Sequence, residues 1–389
     1  MSFISLLFLL YLYRISAKEP CVFSLVQGMR AAGQAAEPLW ARKRGMPWPK
    51  AAGIIRMHCC WEVFAVPQAK KPDRLRYAAN LAAVSAMLCI ALTWGLRWVA
   101  GLTLRLLHAG ATLTNPVGIP EWVMGLWNIV LAGAGALAAF FFVRALVKGS
   151  PMAGKVSLAL PRDGTMWLLL PGFLGVSLAL NMVVSVLQRM LAIGTRYQIP
   201  TAVQLPEGRG AMVLYFIGIC VVPAVVEELF VRGALQPMFA RWGAWFSILL
   251  TSVLFTLMHG DIAQMPAVFL ISMVLGITAH ASGSLLPGMV MHFANNCMSF
   301  CFTWAAQKLD GIGGLALTGY LTLVFFLAAL LCTSAFLKSR GMSILAALPR
   351  WNDAKNRQKR LSRLAASPLF VALMLGLAIR AVLPLWVQR

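Results

Sequence analysis

The stretch VVPAVVEELFVRGALQPMF, residues 221–239, places two adjacent glutamates and an arginine inside an apolar run. A run of this kind reads as part of a helix that crosses a bilayer. A carboxylate buried there is costly unless it is paired or used, so Glu227, Glu228 and Arg232 decide both fold and function. Working outward, similar runs recur along the chain. Of its 389 residues 60% are hydrophobic and 12% charged, whereas a soluble domain carries about 25% charged residues. The fold class is all-α, a polytopic transmembrane helical bundle of about eight to nine spans. The short alternating segments of an outer-membrane barrel are not seen.

Spans are expected near 78–100, 122–146, 166–188, 211–235, 243–259, 263–282, 286–304, 313–336 and 366–386. Around them the reading places a poorly ordered basic N-terminal extension (1–76) and N-terminal transmembrane helices (77–164). A transmembrane core holding the glutamates (165–336), a basic cytoplasmic linker (337–365) and a C-terminal hydrophobic helix (366–389) follow. FISLLFLLYLY, residues 3–13, is short for a span and lacks the flanks of a signal peptide.

The formal net charge is +22. The basic residues sit in loops and at helix ends, KNRQKRLSR (355–363) being the densest block. That distribution argues against a nucleic-acid partner. It fits the positive-inside rule and a multi-pass protein of the bacterial cytoplasmic membrane, with the bilayer as a partner. The eight cysteines include no C-x-x-C pair, and those in apolar runs read as small core residues.

Helix geometry divides the acids between roles. Glu228 and Arg232 are four apart, with the acid first, and so share a face. Glu227 is rotated about 100° away. Pro223 lacks an N–H, so it can kink the helix and free a backbone carbonyl near the glutamates. Two further pairs have the same four-residue spacing: Phe255 with His259, and His292 with Asn296. Asn295 is the weaker neighbour, and His280 reads as core. Taken singly, these features have plainer readings as a structural ion pair, core histidines and interhelical glue. Taken together, within about 70 residues of a membrane-spanning chain, they read as a site.

EELFVR (227–232), FTLMH (255–259) and HFANN (292–296), in this order on separate spans, resemble the CPBP family of intramembrane proteases, which includes the CAAX prenyl endopeptidases and bacteriocin-immunity-type proteins. The resemblance covers roughly residues 165–336. It implies an endopeptidase acting on a membrane-associated, CAAX-type prenylated protein or peptide. It also implies that Glu227 and His259 activate water, that His292 and Asn296 stabilise the oxyanion, and that Glu228, Arg232 and Phe255 support the site. Two cofactor readings stay open: Glu227, His259 and His292 as a zinc site with an open position, or carboxylate–histidine chemistry with no metal. The rival readings are a proton-coupled transporter using Glu227 and a non-catalytic immunity or scaffold protein of the same fold. Simple antiparallel spans put His259 near the outer end of its helix and His292 near the inner end of another. A single site therefore requires shortened or tilted helices, or an early break at Gly260.

Overall fold

The computed structural model describes residues 73–108, 118–161, 163–200, 204–309, 311–339, 341 and 354–386. The chain divides into two units, Met1–Ala69 and Lys70–Arg389, and every described residue belongs to the second. All but the last four residues of the expected extension 1–76 lie outside the described residues, as do residues 342–353 of the expected linker.

No strand occurs among the described residues. The helices are α1 (Arg74–Leu107), α2 (Glu121–Leu146), α3 (Leu169–Gly194, entered by a 3-10 turn) and α4 (Arg209–Ala240). After them come α5 (Ala244–His259), α6 (Met265–Ser282), α7 (Leu286–Lys308), α8 (Gly311–Ser339), α9 (Ala354–Ala365) and α10 (Pro368–Val382). Each expected span corresponds to one of these helices, and α9 adds an unexpected basic helix within segment 337–365.

Of the nine helices at the expected spans, seven are long and apolar enough by length and composition to cross a membrane among the described residues. The two that fall short are α5 and α7, which carry His259 and His292. At 16 residues α5 is about 24 Å long, less than the hydrocarbon thickness of about 30 Å. Helix α7 is long enough, but His292, Asn295, Asn296, Gln307 and Lys308 dilute its apolarity.

Loop contacts sort into two ends, as alternating antiparallel helices require. At one end Asp73 caps α1, accepting from the Leu75 N–H at 3.0 Å, and pairs with Arg363 of α9 at 3.2 Å. At that end also, the Leu285 N–H donates to the Ser157 carbonyl at 2.8 Å. At the other end Glu121 accepts from the N–H groups of Glu207 and Gly208. There too the Arg196 N–H donates to the Leu385 carbonyl, and the Tyr197 hydroxyl donates to Asp261.

Small residues bring these helices close. Ala78, Ala79, Ala82, Ala83 and Ala86 give α1 a buried alanine face. A Cβ on Gly135 of α2 would lie 2.6 Å from the Cys89 carbonyl of α1, and one on Gly175 of α3 would lie 2.6 Å from the Phe325 carbonyl of α8. Close backbone approach of this kind drives helix association where lipid removes the hydrophobic incentive. Gly135→Ala is therefore expected to separate α1 from α2 and cost about 1–3 kcal/mol. Thermal unfolding in detergent checks this, and an unchanged melting temperature would contradict it.

Candidate active site

Helix α4 carries the glutamates between two π-helical turns, Ile217–Val221 and Val231–Leu235. Each is closed by an i→i−5 bond, from Val222 N–H to the Ile217 carbonyl and from Gln236 N–H to the Val231 carbonyl. Each closes immediately before a proline, Pro223 or Pro237. A proline ring clashes with the carbonyl four residues back and offers it no N–H, so the ladder shifts register there. The carbonyl that Pro223 cannot bond in a regular helix belongs to Ile219, and the Asn296 amide of α7 donates to it at 3.3 Å. Asn296 is itself oriented by a relay. Ser177 of α3 donates to the Asn295 side chain, whose amide donates to Asn296 Oδ1 at 3.3 Å. Asn295 and Ser177 thus position Asn296.

Glu228 is fully buried. Its Oε1 pairs with Arg232 Nη1 at 2.6 Å, the i,i+4 contact that the spacing predicts. Arg232 also donates to the Ser272 carbonyl at 2.9 Å and to Ser272 Oγ at 2.8 Å on α6, and its guanidinium lies 5.1 Å from the Phe255 ring centre. His292 Nδ1–H donates to the same Glu228 Oε1 at 3.2 Å, and its Nε2 lies 3.9 Å from Glu227 Oε2. Glu228 Oε2 has no hydrogen-bond partner among the described residues and faces Gly288, where a Cβ would sit 3.2 Å away.

Glu227 has a different environment. Its side chain is 27% exposed, and it lines a cavity of about 350 Å3 together with His259, Phe255, Pro223, Cys89, and Arg97 and Arg380. His259 ends α5, and Gly260 follows at φ 71°, a left-handed conformation suited to glycine that breaks the helix there. The ring Nδ1–H of His259 donates to the Phe255 carbonyl at 2.9 Å. That bond assigns the tautomer and leaves Nε2 as the lone-pair nitrogen.

Helix offsets explain how three helices meet at one depth. Glu227 lies 13 residues before the end of α4, about 20 Å from it, and His259 lies 15 residues after the start of α5, about 22 Å. His292 is only about 9 Å along α7. That helix, however, begins higher: Leu285 packs at Gly233, itself about 10 Å above the end of α4. Segment 147–161 fills the space beneath. Gly154 lies against Pro237, and the Ser157 and Ala159 carbonyls accept from Leu285 N–H and Ser284 Oγ. The short α5 and the recessed α7 supply the shortened helices that the sequence reading requires.

Of the three residues in the zinc reading, Glu227 and His259 share the cavity, and His292 Nε2 lies 3.9 Å from Glu227 Oε2. Among the described residues no group of three or more His, Cys, Asp or Glu is placed to hold a metal ion. Ser272 is not distinguished in the sequence, since a serine in an apolar helix is commonplace. Arg97 and Arg380 were detectable as charges within expected spans.

Residues 209–298 match the family model of type II CAAX prenyl endopeptidase Rce1-like proteins. The matched segment runs from the start of α4 into α7 and contains Glu227, Glu228, Arg232, Phe255, His259, His292 and Asn296. No curated protein and no solved structure matches the chain. These residues stand at one depth in a helical membrane bundle, and the family model spanning them supports the resemblance of this segment to the CPBP family of membrane proteases.

Proposed function

We propose that this protein is an endopeptidase of the bacterial cytoplasmic membrane that hydrolyses a peptide bond in a prenylated, membrane-associated protein or peptide. The observation that carries this reading is the cavity shared by Glu227 and His259, with one carboxylate partly exposed beside a second that is sealed in an ion pair. Two neighbouring acids in unlike environments have unlike tasks. Arg232 and His292 hold Glu228 fixed, while Glu227 has room to meet water and substrate.

A water entering the cavity reaches the Glu227 carboxylate and His259 Nε2. As its oxygen attacks the scissile carbonyl carbon, Glu227 takes a proton. The carbonyl oxygen becomes an oxyanion, faced by the Asn296 hydrogen not given to Ile219 and by His292, which as an imidazolium donates from Nε2 while its Nδ1–H stays on Glu228. Collapse breaks the C–N bond, and the proton on Glu227 passes to the leaving nitrogen. Apolar walls around the site strengthen each of these interactions.

The test uses the full chain in proteoliposomes, a farnesylated Cys-Val-Ile-Ser peptide and water enriched in oxygen-18. The expected products are a released C-terminal fragment and a shortened peptide carrying one heavy oxygen in its new carboxyl group. An intact peptide, or fragments without the label, would count against hydrolysis at this site.

A further inference from the structure

The cavity that holds Glu227 contains two cations from outside the segment matched by the family model, Arg97 on α1 and Arg380 on α10. Both lie within helices long and apolar enough to span a membrane. A charge in such a helix is costly and marks a functional position by default. Arg380 has a structural duty as well. Its Nη1 donates to the Met258 carbonyl at 3.4 Å near the C-terminus of α5, its guanidinium packs on Gly260 and it lies 5.8 Å from the Trp94 ring centre. Arg97 is exposed, on the α1 face that lines the cavity. Among the described lining residues, two arginines stand against the single acid Glu227.

We propose that Arg97 and Arg380 form an anion subsite for the free C-terminal carboxylate of the peptide being cut. This rests on the endopeptidase reading above. Guanidinium groups match a carboxylate through paired, charge-assisted hydrogen bonds. The spacing fits a chain lying along α1. Cys89, which lines the same cavity as Glu227, and Arg97 are eight residues apart on the lining face, about 12 Å along the helix. An extended peptide covers that distance in about three or four residues. The subsite therefore measures the cut from the chain end, and Trp94 walls the path between.

The experiment measures binding of a fluorescent, farnesylated Cys-Val-Ile-Ser peptide, as free acid or as carboxamide, to the full chain in phosphatidylcholine nanodiscs. All proteins carry Glu227→Gln so that the peptide is not consumed. The acid is expected to bind about tenfold more tightly than the amide. Arg97→Gln should bring the acid to the amide's level and leave the amide unchanged, while Arg97→Lys keeps part of the preference. Equal binding of acid and amide with Arg97 present, equal weakening of both by Arg97→Gln, or no binding of either would overturn the subsite. If the acid shows no preference and Arg97 instead governs retention of phosphatidylglycerol, the cations serve a lipid phosphate and the proposal fails. Binding is read without turnover. An acid preference beside undiminished cleavage by Glu227→Gln would thus sink the assignment of the base, whereas loss of the preference alone sinks only the subsite.

Discussion

Glu227→Gln is expected to lower cleavage of a farnesylated peptide by about 100- to 10,000-fold, the usual contribution of a positioned general base. The amide keeps the size of the side chain but cannot accept and return the proton of water. The fold should barely respond. Glu227 is partly exposed to the cavity, and the ion pair beside it belongs to Glu228. Its contact with His292 Nε2, at 3.9 Å, is longer than a hydrogen bond. The variant should melt with the parent protein. Initial rates on a shared peptide, measured beside melting curves, separate lost chemistry from lost structure. Rates within a few-fold of the parent would remove Glu227 from the base role.

The second large effect is on stability. Arg232→Met is expected to cost about 3–5 kcal/mol, because it leaves Glu228 charged, buried and without its cation. It also strips two hydrogen bonds from Ser272. The double variant Glu228→Gln/Arg232→Met should recover much of that loss, since removing both charges also removes the desolvation penalty. Chemical or thermal unfolding of the four proteins in one detergent forms a double-mutant cycle. If the single and double variants unfold alike, the ion pair is not what holds α4 against α6. The contrast between these adjacent glutamates, one governing rate and one governing stability, follows from about 100° of helix rotation.

Much of the fold was legible because membrane helices announce themselves by length and apolarity. Every expected span corresponds to a helix, and the Glu228–Arg232 contact followed from a four-residue spacing on a single element. Pro223 freeing a carbonyl, and Gly260 ending α5, were also local consequences of residue type. Less legible was anything that depends on where one helix stands relative to another. Equal polar spacing in α5 and α7 does not reveal that α5 stops after about 24 Å or that segment 147–161 lifts the start of α7. The two helices that bring histidines to the site, α5 and α7, are the shorter and the more polar ones.

The amino-acid sequence alone determined the helical bundle, the pairing of Glu228 with Arg232 and the set of polar residues to be reconciled, because periodicity and local backbone chemistry act within one element. Tertiary structure alone decided that His292 bonds Glu228 while facing Glu227, that Asn296 takes the carbonyl left by Pro223, and that α1 and α10 wall the cavity with Arg97 and Arg380. The physical reason is that relative depth and rotation of helices are set by close packing at small residues and by the loops that space them. Those are sums over many distant contacts, and no single stretch of chain contains them.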